Sequence, residues 1–529
     1  MLTKFQKLKN GVQFKKAIKK DEETEESEQL FDDSTIDIKA QYIHELKDNT
    51  GDKNLNKYTL QMYTFFKQHK IETKGNNIKL PIFTFNRLRQ LHNLHQDLIT
   101  SLIQNFGFTN LTPIQSLSIS NVLQKRNVVC IAPTGSGKTL AYLLPLTQML
   151  LEKPGEKALI VAPTFELSVQ IYKVCLKLIG KQDPIGGLRI GHIQKLTKPI
   201  DNYDLIVSTP NKINEILEKQ DDKQMLNYSY VILDEADKYF ELSFMDQLEK
   251  LLQLLRANER QYLLFSATYP EAIEKTISNI FLDKIEIVIG GKVRVLNSID
   301  QKLSYVSTEE GKIIELENII NNGELRIPCL LFVQSKERVR EVYSILKKFK
   351  IHADYLSGNL SLNQRERKLK NFEEGKTWVL ITTDLLARGI DFPDLKLVIN
   401  FDFPTSIVTY IHRVGRTGRA NKKGAAITFF TNDDKYVLRR LADLLKSSGC
   451  NPPEWIFKLP KPSKKDIKQM EKKPIERDSL IPSKNMRKDK EFYNEIKKKD
   501  YYFLKNHEEE NGIEEINTNE DQVNEMPKA

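Results

Sequence analysis

Ten short apolar runs, rich in β-branched residues, are separated by helical patterns between Phe85 and Gly449. The first five are Val128–Ala132, Ala158–Ala162, Leu205–Ser208, Val231–Leu233 and Tyr262–Phe265. The second five are Cys329–Val333, Ala353–Leu356, Val379–Thr382, Leu397–Asn400 and Ala426–Phe430. A run that is apolar at every position, not every second one, must be covered on both faces. Parallel strands joined by crossover helices achieve that cover. Two series in succession therefore predict two similar α/β domains, each a parallel sheet with helices on both faces. The expected boundaries are a tail at 1–75, a first domain at 76–292, a linker at 293–298, a second domain at 299–455 and a tail at 456–529.

The tails follow from charge. Residues 1–20 hold seven lysines and no acid, and residues 21–34 hold eight acids and no base. Residues 456–500 are again basic and residues 501–529 acidic. Such blocks bury too little apolar surface to offset the entropy of ordering. Across the chain, 81 basic against 71 acidic side chains leave a formal charge of +10, which favours a polyanionic partner. The four cysteines, Cys130, Cys175, Cys329 and Cys450, form no C-x-x-C pair, so neither a zinc ribbon nor a redox motif is expected. No apolar stretch approaches the ~18 residues of a membrane span, and the lysine-rich start is not a secretory signal. The chain is expected to be soluble and intracellular, with no membrane contact.

Val128–Ala132 runs into Ala132-Pro133-Thr134-Gly135-Ser136-Gly137-Lys138-Thr139, after which a helical pattern begins. This is a phosphate-binding loop with Ala132 at the usual first glycine. Gly135 and Gly137 let the backbone curl so that N–H groups can face a polyphosphate, and the helix N-terminus adds positive potential. Lys138 can reach the β- and γ-phosphates of a nucleotide, and the Thr139 hydroxyl can bind Mg²⁺. Asp234-Glu235-Ala236-Asp237 follows the run Val231–Leu233, which puts a carboxylate at the carboxyl end of a strand, beside that crevice. Asp234 is a candidate Mg²⁺ ligand. Glu235 is a candidate to orient or deprotonate an attacking water.

The letters DEAD resemble those of the DEAD-box RNA helicases, and the resemblance extends from Phe85 to about Gly449. It implies two RecA-like domains, the first binding ATP. Gly107-Phe108 with Thr112-Pro113-Ile114-Gln115 is similar to the family's adenine-reading segment. Gln115 would bond the adenine edge and Phe85 would stack on the base; Leu111 stands where the family has proline. Pro163-Thr164-Phe165-Glu166-Leu167 resembles the first RNA segment, with Phe165 where arginine is usual, and Thr209-Pro210-Asn211-Lys212 resembles the second. Ser266-Ala267-Thr268 is similar to the segment that couples ATP state to strand separation, with Asp237 and His412 as its implied partners.

In the second domain, Gln334 and the Gln364-x-x-Arg367 pair resemble RNA-facing elements, and Thr383 and Gly389 would approach RNA. Asp391 would touch the ribose. His412-Arg413-Val414-Gly415-Arg416-Thr417-Gly418-Arg419 has arginines every third residue, a spacing that shares a helical face. The resemblance makes Arg416 and Arg419 fingers toward the γ-phosphate. A finer resemblance, in Leu80–Phe85, Asp402–Ser406, Ile427–Phe430 and Lys473-Pro474-Ile475-Glu476-Arg477, is to the Rok subgroup. About five extra residues between Phe85 and Gly107 accompany it.

The resemblance implies an ATP- and Mg²⁺-dependent RNA helicase with RNA-stimulated ATPase activity. It would act as a monomer on small-subunit (18S) pre-ribosomal RNA in the nucleolus, with ribosome-assembly proteins as further partners. Two other readings of the same motifs are an ATP-gated RNA clamp or scaffold with little unwinding, and a DNA-translocating helicase.

Overall fold

A computed structural model describes residues 52–480 except 197–198, 219–227, 241, 256–259, 270–272, 275–276, 279–280, 282, 291–297, 385–391, 393, 419–421, 448–451, 461–474, 476 and 478–479. The charged blocks at 1–34 and 501–529 and most of the expected linker lie outside the described residues.

The first sheet contains β1 (Ile71–Lys74), β2 (Asn127–Ile131), β3 (Ala158–Val161), β4 (Ile190–His192), β5 (Leu205–Ser208), β6 (Tyr230–Leu233), β7 (Gln261–Ser266) and β8 (Lys284–Ile289). Its spatial order is β1-β8-β2-β7-β6-β3-β5-β4. All neighbours run parallel except β1, which lies antiparallel against β8 with Ile71 opposite Ile289. The second sheet contains β9 (Ile299–Tyr305), β10 (Cys329–Phe332), β11 (Ala353–Tyr355), β12 (Val379–Thr382), β13 (Leu397–Asn400) and β14 (Gly424–Phe430). Its order is β11-β12-β10-β13-β14-β9, parallel throughout.

The continuous apolar character of the runs has the expected cause. In β2, Val128 and Cys130 enter one core while Val129 and Ile131 enter the core on the opposite face. In β10, Leu330 and Phe332 are divided from Cys329 and Leu331 in the same way. Strand side chains alternate between faces, so a sheet covered on both sides needs apolar residues at every position. Cys130, Cys175 and Cys329 are free and buried in these layers. Among the described residues, no helix is long and apolar enough to cross a membrane.

Four strands escape the apolar-run criterion. Strand β8 interleaves Lys284 and Glu286 with isoleucines, and both charges are accommodated by a 3.2 Å ion pair. Strands β1 and β9 lie at sheet edges, where alternate side chains meet solvent, and β4 is a three-residue edge strand. Two domain boundaries also shift. Helix Asp52–His69 and β1 precede position 76, and β1 adds to the first sheet, so that domain begins within the expected tail. The turn Glu454–Lys458 crosses position 455, burying Ile456 in the second core, and Leu480 is 1% exposed in that domain. Single apolar residues in a charged stretch carry no periodicity, so their burial was not visible beforehand.

For the functional site, the decisive feature is that β7 lies between β2 and β6. The segments that follow these three strands are therefore neighbours, and Ala132 N–H donates to the Ser266 carbonyl at 3.1 Å. Leu263, fully buried in β7, holds this spacing. Leu263→Ala is expected to cost about 2–5 kcal/mol through lost burial and a residual cavity. Urea unfolding followed by a probe in the first domain measures it, and a loss below about 1 kcal/mol would contradict the packing described.

Candidate functional site at the cleft between the domains

The loop after β2 is shaped by two glycines in the left-handed region, Gly135 (φ 73°) and Gly137 (φ 90°). A Cβ on Gly137 would also lie 2.7 Å from Gln115 Nε2, so both conformation and space exclude a side chain. The 15-residue helix Lys138–Glu152 starts directly afterwards and directs its positive end at the loop. Lys138 Nζ donates to the carbonyls of Ala132 (2.8 Å) and Pro133 (2.9 Å), folding back over the loop it follows. Ser136 Oγ is buried without a hydrogen-bond partner, and Thr139 is half-buried in the first turn.

Gln115 is 3% exposed, and both ends of its amide are engaged. Its Oε1 accepts from Thr112 N–H at 3.0 Å, and its Nε2 donates to the Gly137 carbonyl at 3.2 Å. This residue braces the loop from behind. Phe85 differs from expectation: it is 6% exposed and packed in the first core, where it opens helix Phe85–His92 behind the cap residue Thr84. The helix buries Phe85 together with Leu88.

At the end of β6, Asp234 is 4% exposed and accepts from Tyr142 O–H and Glu235 N–H, both at 2.9 Å. Burial and the adjacent Glu235 push its carboxyl up to about 6, although Lys138 and Tyr142 oppose the shift. Glu235 has φ 45°, an uncommon conformation for a residue with a side chain, and its Oε2 is buried without a partner.

Asp237 is the centre of a denser group. Thr268 O–H donates to its Oδ2 at 2.6 Å, and its own N–H donates to Ser266 Oγ at 3.2 Å. His412 Nε2, from the second domain, lies 2.7 Å from the same Oδ2. Burial alone would raise this carboxyl, but His412, Lys238 and Thr268 outweigh it and hold the group well below the usual carboxylate range. The four expected coupling residues, Asp237, Ser266, Thr268 and His412, thus meet in one buried cluster.

Arg413 and Arg416 do not share a helical face. Helix Ile407–Val414 ends before Arg416, and these two side chains follow separate paths. Arg413 turns inward, donating to Asp384 at 2.6 and 2.9 Å and to the Asp402 carbonyl at 2.6 Å. Arg416 Nε caps the helix by donating to the His412 carbonyl at 3.0 Å, and its Nη2 lies 3.7 Å from Glu235 Oε1 across the cleft. Between them, Gly415 accepts from Thr134 Oγ1 at 3.0 Å; a Cβ at Gly415 would stand 2.3 Å from that oxygen. Arg419, Gly389 and Asp391 lie outside the described residues.

The remaining expected contacts cluster at strand ends. Pro163 and Thr164 follow β3, Thr209 and Pro210 follow β5, and Thr383 follows β12. Thr164 caps helix Phe165–Ile179 by accepting from Leu167 N–H. Phe165 makes an edge contact with His192. Gln364 forms a capping box with Ser361, and Arg367 is exposed. Gln334 departs from expectation: its Nε2 donates to the Ile475 carbonyl at 2.6 Å and its Oε1 accepts from Arg477 Nε at 3.0 Å, so its amide is not offered outward. Glu166 and Arg365 form a 2.7 Å pair across the cleft. That pair and the Arg413–Asp384 pair were missed in the sequence; only Asp384, two residues beyond β12, stands close to a strand end, while Glu166, Arg365 and Arg413 lie within helices and carry no such signal.

Comparison with known proteins places these contacts in context. The family described as DEAD/DEAH box helicase matches residues 112–276, and the helicase conserved C-terminal domain matches residues 311–421. ATP-dependent RNA helicase ROK1 of Meyerozyma guilliermondii is 35% identical over 425 residues, covering 78% of this chain and 79% of that protein. Probable ATP-dependent RNA helicase DDX52 of Bos taurus is 37% identical over 468 residues, covering 83% and 77%. Among solved structures, S. cerevisiae Dbp5 bound to RNA and ADP BeF3 is similar with a TM-score of 0.60 at 26% identity, over 72% of this chain and 99% of that one. Mss116p bound to ssRNA and AMP-PNP gives 0.61 at 26% identity, over 73% and 82%.

Two tests address the geometry itself. Arg365→Glu sets two carboxylates against each other across the cleft, a juxtaposition that costs several kcal/mol, so the domains are expected to separate. Small-angle scattering should then report a larger radius of gyration than wild type; an unchanged value contradicts the pairing. For Asp234, the folded-state value lies above the ordinary one, so its ionised form opposes folding when no ligand is bound. Asp234→Asn should be more stable than wild type at pH 7, on the order of 1–3 kcal/mol, with the advantage shrinking as pH falls through 6 toward 4. Urea midpoints of both proteins across that range measure it, and a constant difference counts against the burial effect.

Proposed function

The chain belongs to the DEAD-box family of ATP-dependent RNA helicases, and on that premise we propose that it separates short RNA duplexes by closing its two domains around ATP and RNA. The observation that carries this reading is the split site: Lys138, Asp234, Glu235 and Asp237 lie on the first domain, and from the second Arg416 approaches Glu235 while His412 meets Asp237. Positioned charge around the transferring phosphoryl group supplies most of the acceleration in such reactions, so hydrolysis depends on closure.

In this reading Lys138 and the loop Ala132–Thr139 hold the β- and γ-phosphates. Thr139 and Asp234 hold Mg²⁺, which in such a site offsets the negative charge of the phosphates. The partnerless Glu235 Oε2 and Ser136 Oγ, and the raised Asp234 carboxyl, suit a cation and polar ligand atoms. Glu235 orients or deprotonates the attacking water, while Arg416 and Arg419 stabilise charge on the γ-phosphate. RNA lies along Pro163, Thr164, Thr209 and Pro210 on the first domain and along Gln364, Arg367, Thr383 and Gly389 on the second. Both ligands favour the closed state, so they bind cooperatively. Preference for RNA comes from 2′-OH and backbone contacts more than from base reading.

The proposal extends to small-subunit pre-ribosomal RNA in the nucleolus, with the chain working as a monomer among ribosome-assembly factors. It is supported by the similarity to ROK1 and DDX52 and by the basic charge balance. Crosslinking RNA to the protein in cells tests it, and enrichment away from ribosomal precursors would overturn it.

Arg416→Ala is expected to lower RNA-stimulated ATP turnover on the order of 10³-fold. Single-turnover hydrolysis with saturating RNA measures this, and a loss under about threefold removes Arg416 from the reaction. Strand displacement should be run alongside: intact RNA-stimulated turnover without displacement would indicate a clamp.

A further inference from the structure

Beyond the last helix of the second domain, the chain returns to it. Leu480 N–H donates to Glu341 Oε2 at 3.0 Å, and its side chain is buried. Arg477, with a side chain 3% exposed, lies 2.7 Å from Glu309 Oε1 and 2.7 Å from Asp434 Oδ1. It also approaches Asp402 to 3.9 Å. Lys312 pairs with Glu309 at 2.8 Å and with Asp402 at 2.9 Å. Arg338 pairs with Glu309 at 2.6 Å and with Asp402 at 2.7 Å. Three carboxylates thus face three cations in a buried cluster, and without Arg477 the acids outnumber the bases. An uncompensated buried charge is strongly unfavourable, so the cluster would have to rearrange.

The cluster leads to the cleft. The Asp402 carbonyl accepts from Arg413 Nη1 at 2.6 Å, and Arg413 adjoins His412 and precedes Arg416 by three residues. We infer that Arg477 is a positioning residue for ATP hydrolysis: through Asp402 and Arg413 it fixes the end of helix Ile407–Val414, and with it the approach of Arg416 to the first domain. The inference rests on the proposed role of Arg416. The same segment takes up both ends of the Gln334 amide, so Gln334 acts as its anchor.

The test uses the full-length chain with Arg477→Ala, Arg477→Lys, Arg416→Ala and the Arg416/Arg477 double alanine variant. RNA-stimulated ATPase is measured per folded molecule. Arg477→Ala should lower kcat about tenfold while the KM for ATP stays within about twofold, because the phosphate loop is on the other domain. Arg477→Lys should recover part of the loss by restoring charge. In the Arg416→Ala background, removing Arg477 should cost nothing further, since residues acting as a unit are not additive. A kcat for Arg477→Ala within about twofold of wild type, or losses that multiply in the double variant, would overturn the inference and leave only a stabilising role. If Arg477→Ala does not fold, Gln334→Met keeps every charge of the cluster and removes only the two amide bonds to the segment. It should lower kcat about threefold at unchanged KM, and a wild-type kcat overturns the inference. Absence of RNA stimulation in the wild type, or full activity in Arg416→Ala, would refute the functional reading instead.

Discussion

The carboxylate of Asp237 is almost fully buried, and the imidazole that faces it at 2.7 Å belongs to the other domain. A buried carboxylate is costly unless it is paired and hydrogen-bonded, so this contact makes domain closure matter to the interior of the first domain. Thr268 and Ser266 bind the same aspartate, and Ser266 is also hydrogen-bonded through its carbonyl to Ala132. The position of the second domain is thereby connected to the start of the phosphate loop through a few short bonds.

Strand order makes that connection possible. With β7 inserted between β2 and β6, Ser266 and Thr268 stand between the loop at Ala132–Thr139 and the acids at Asp234–Asp237. In the other sheet, β10, β12 and β13 are neighbours, which brings Gln334, Asp384 and Asp402 close to Arg413. Asp234 follows directly after its strand, and Asp384 and Asp402 stand two residues beyond theirs. Ligand sites in open parallel sheets occupy this position because loops there are free to carry polar groups while the strands below hold them still.

The second domain also explains why its limits exceed the repeating α/β pattern. Glu309, Asp402 and Asp434 require a third cation beside Lys312 and Arg338, and the chain supplies Arg477 from more than forty residues beyond Asp434. Those charges hold Asp402 well below the usual carboxylate range, even though burial acts in the opposite direction. Gln334 joins the same arrangement, donating its backbone N–H to Asp402 at 2.9 Å and spending its amide on the returning segment.

Much of this protein could be read directly from its residues. Apolar runs at every position specify strands covered on both faces, and Gly135, Gly137 and Lys138 specify a phosphate loop, because these are local consequences of side-chain chemistry and backbone freedom. Edge strands such as β1 and β9 were invisible because half their side chains meet solvent. The turn that ends helix Ile407–Val414 and parts Arg416 from Arg413 was also hidden, since a three-residue spacing says nothing about where a helix stops. Which aromatic is core, which amide is free and which arginine crosses the cleft were decided only by tertiary structure. Those outcomes depend on contacts between groups hundreds of residues apart, as when Thr134 donates to the Gly415 carbonyl, 281 positions away, across the cleft.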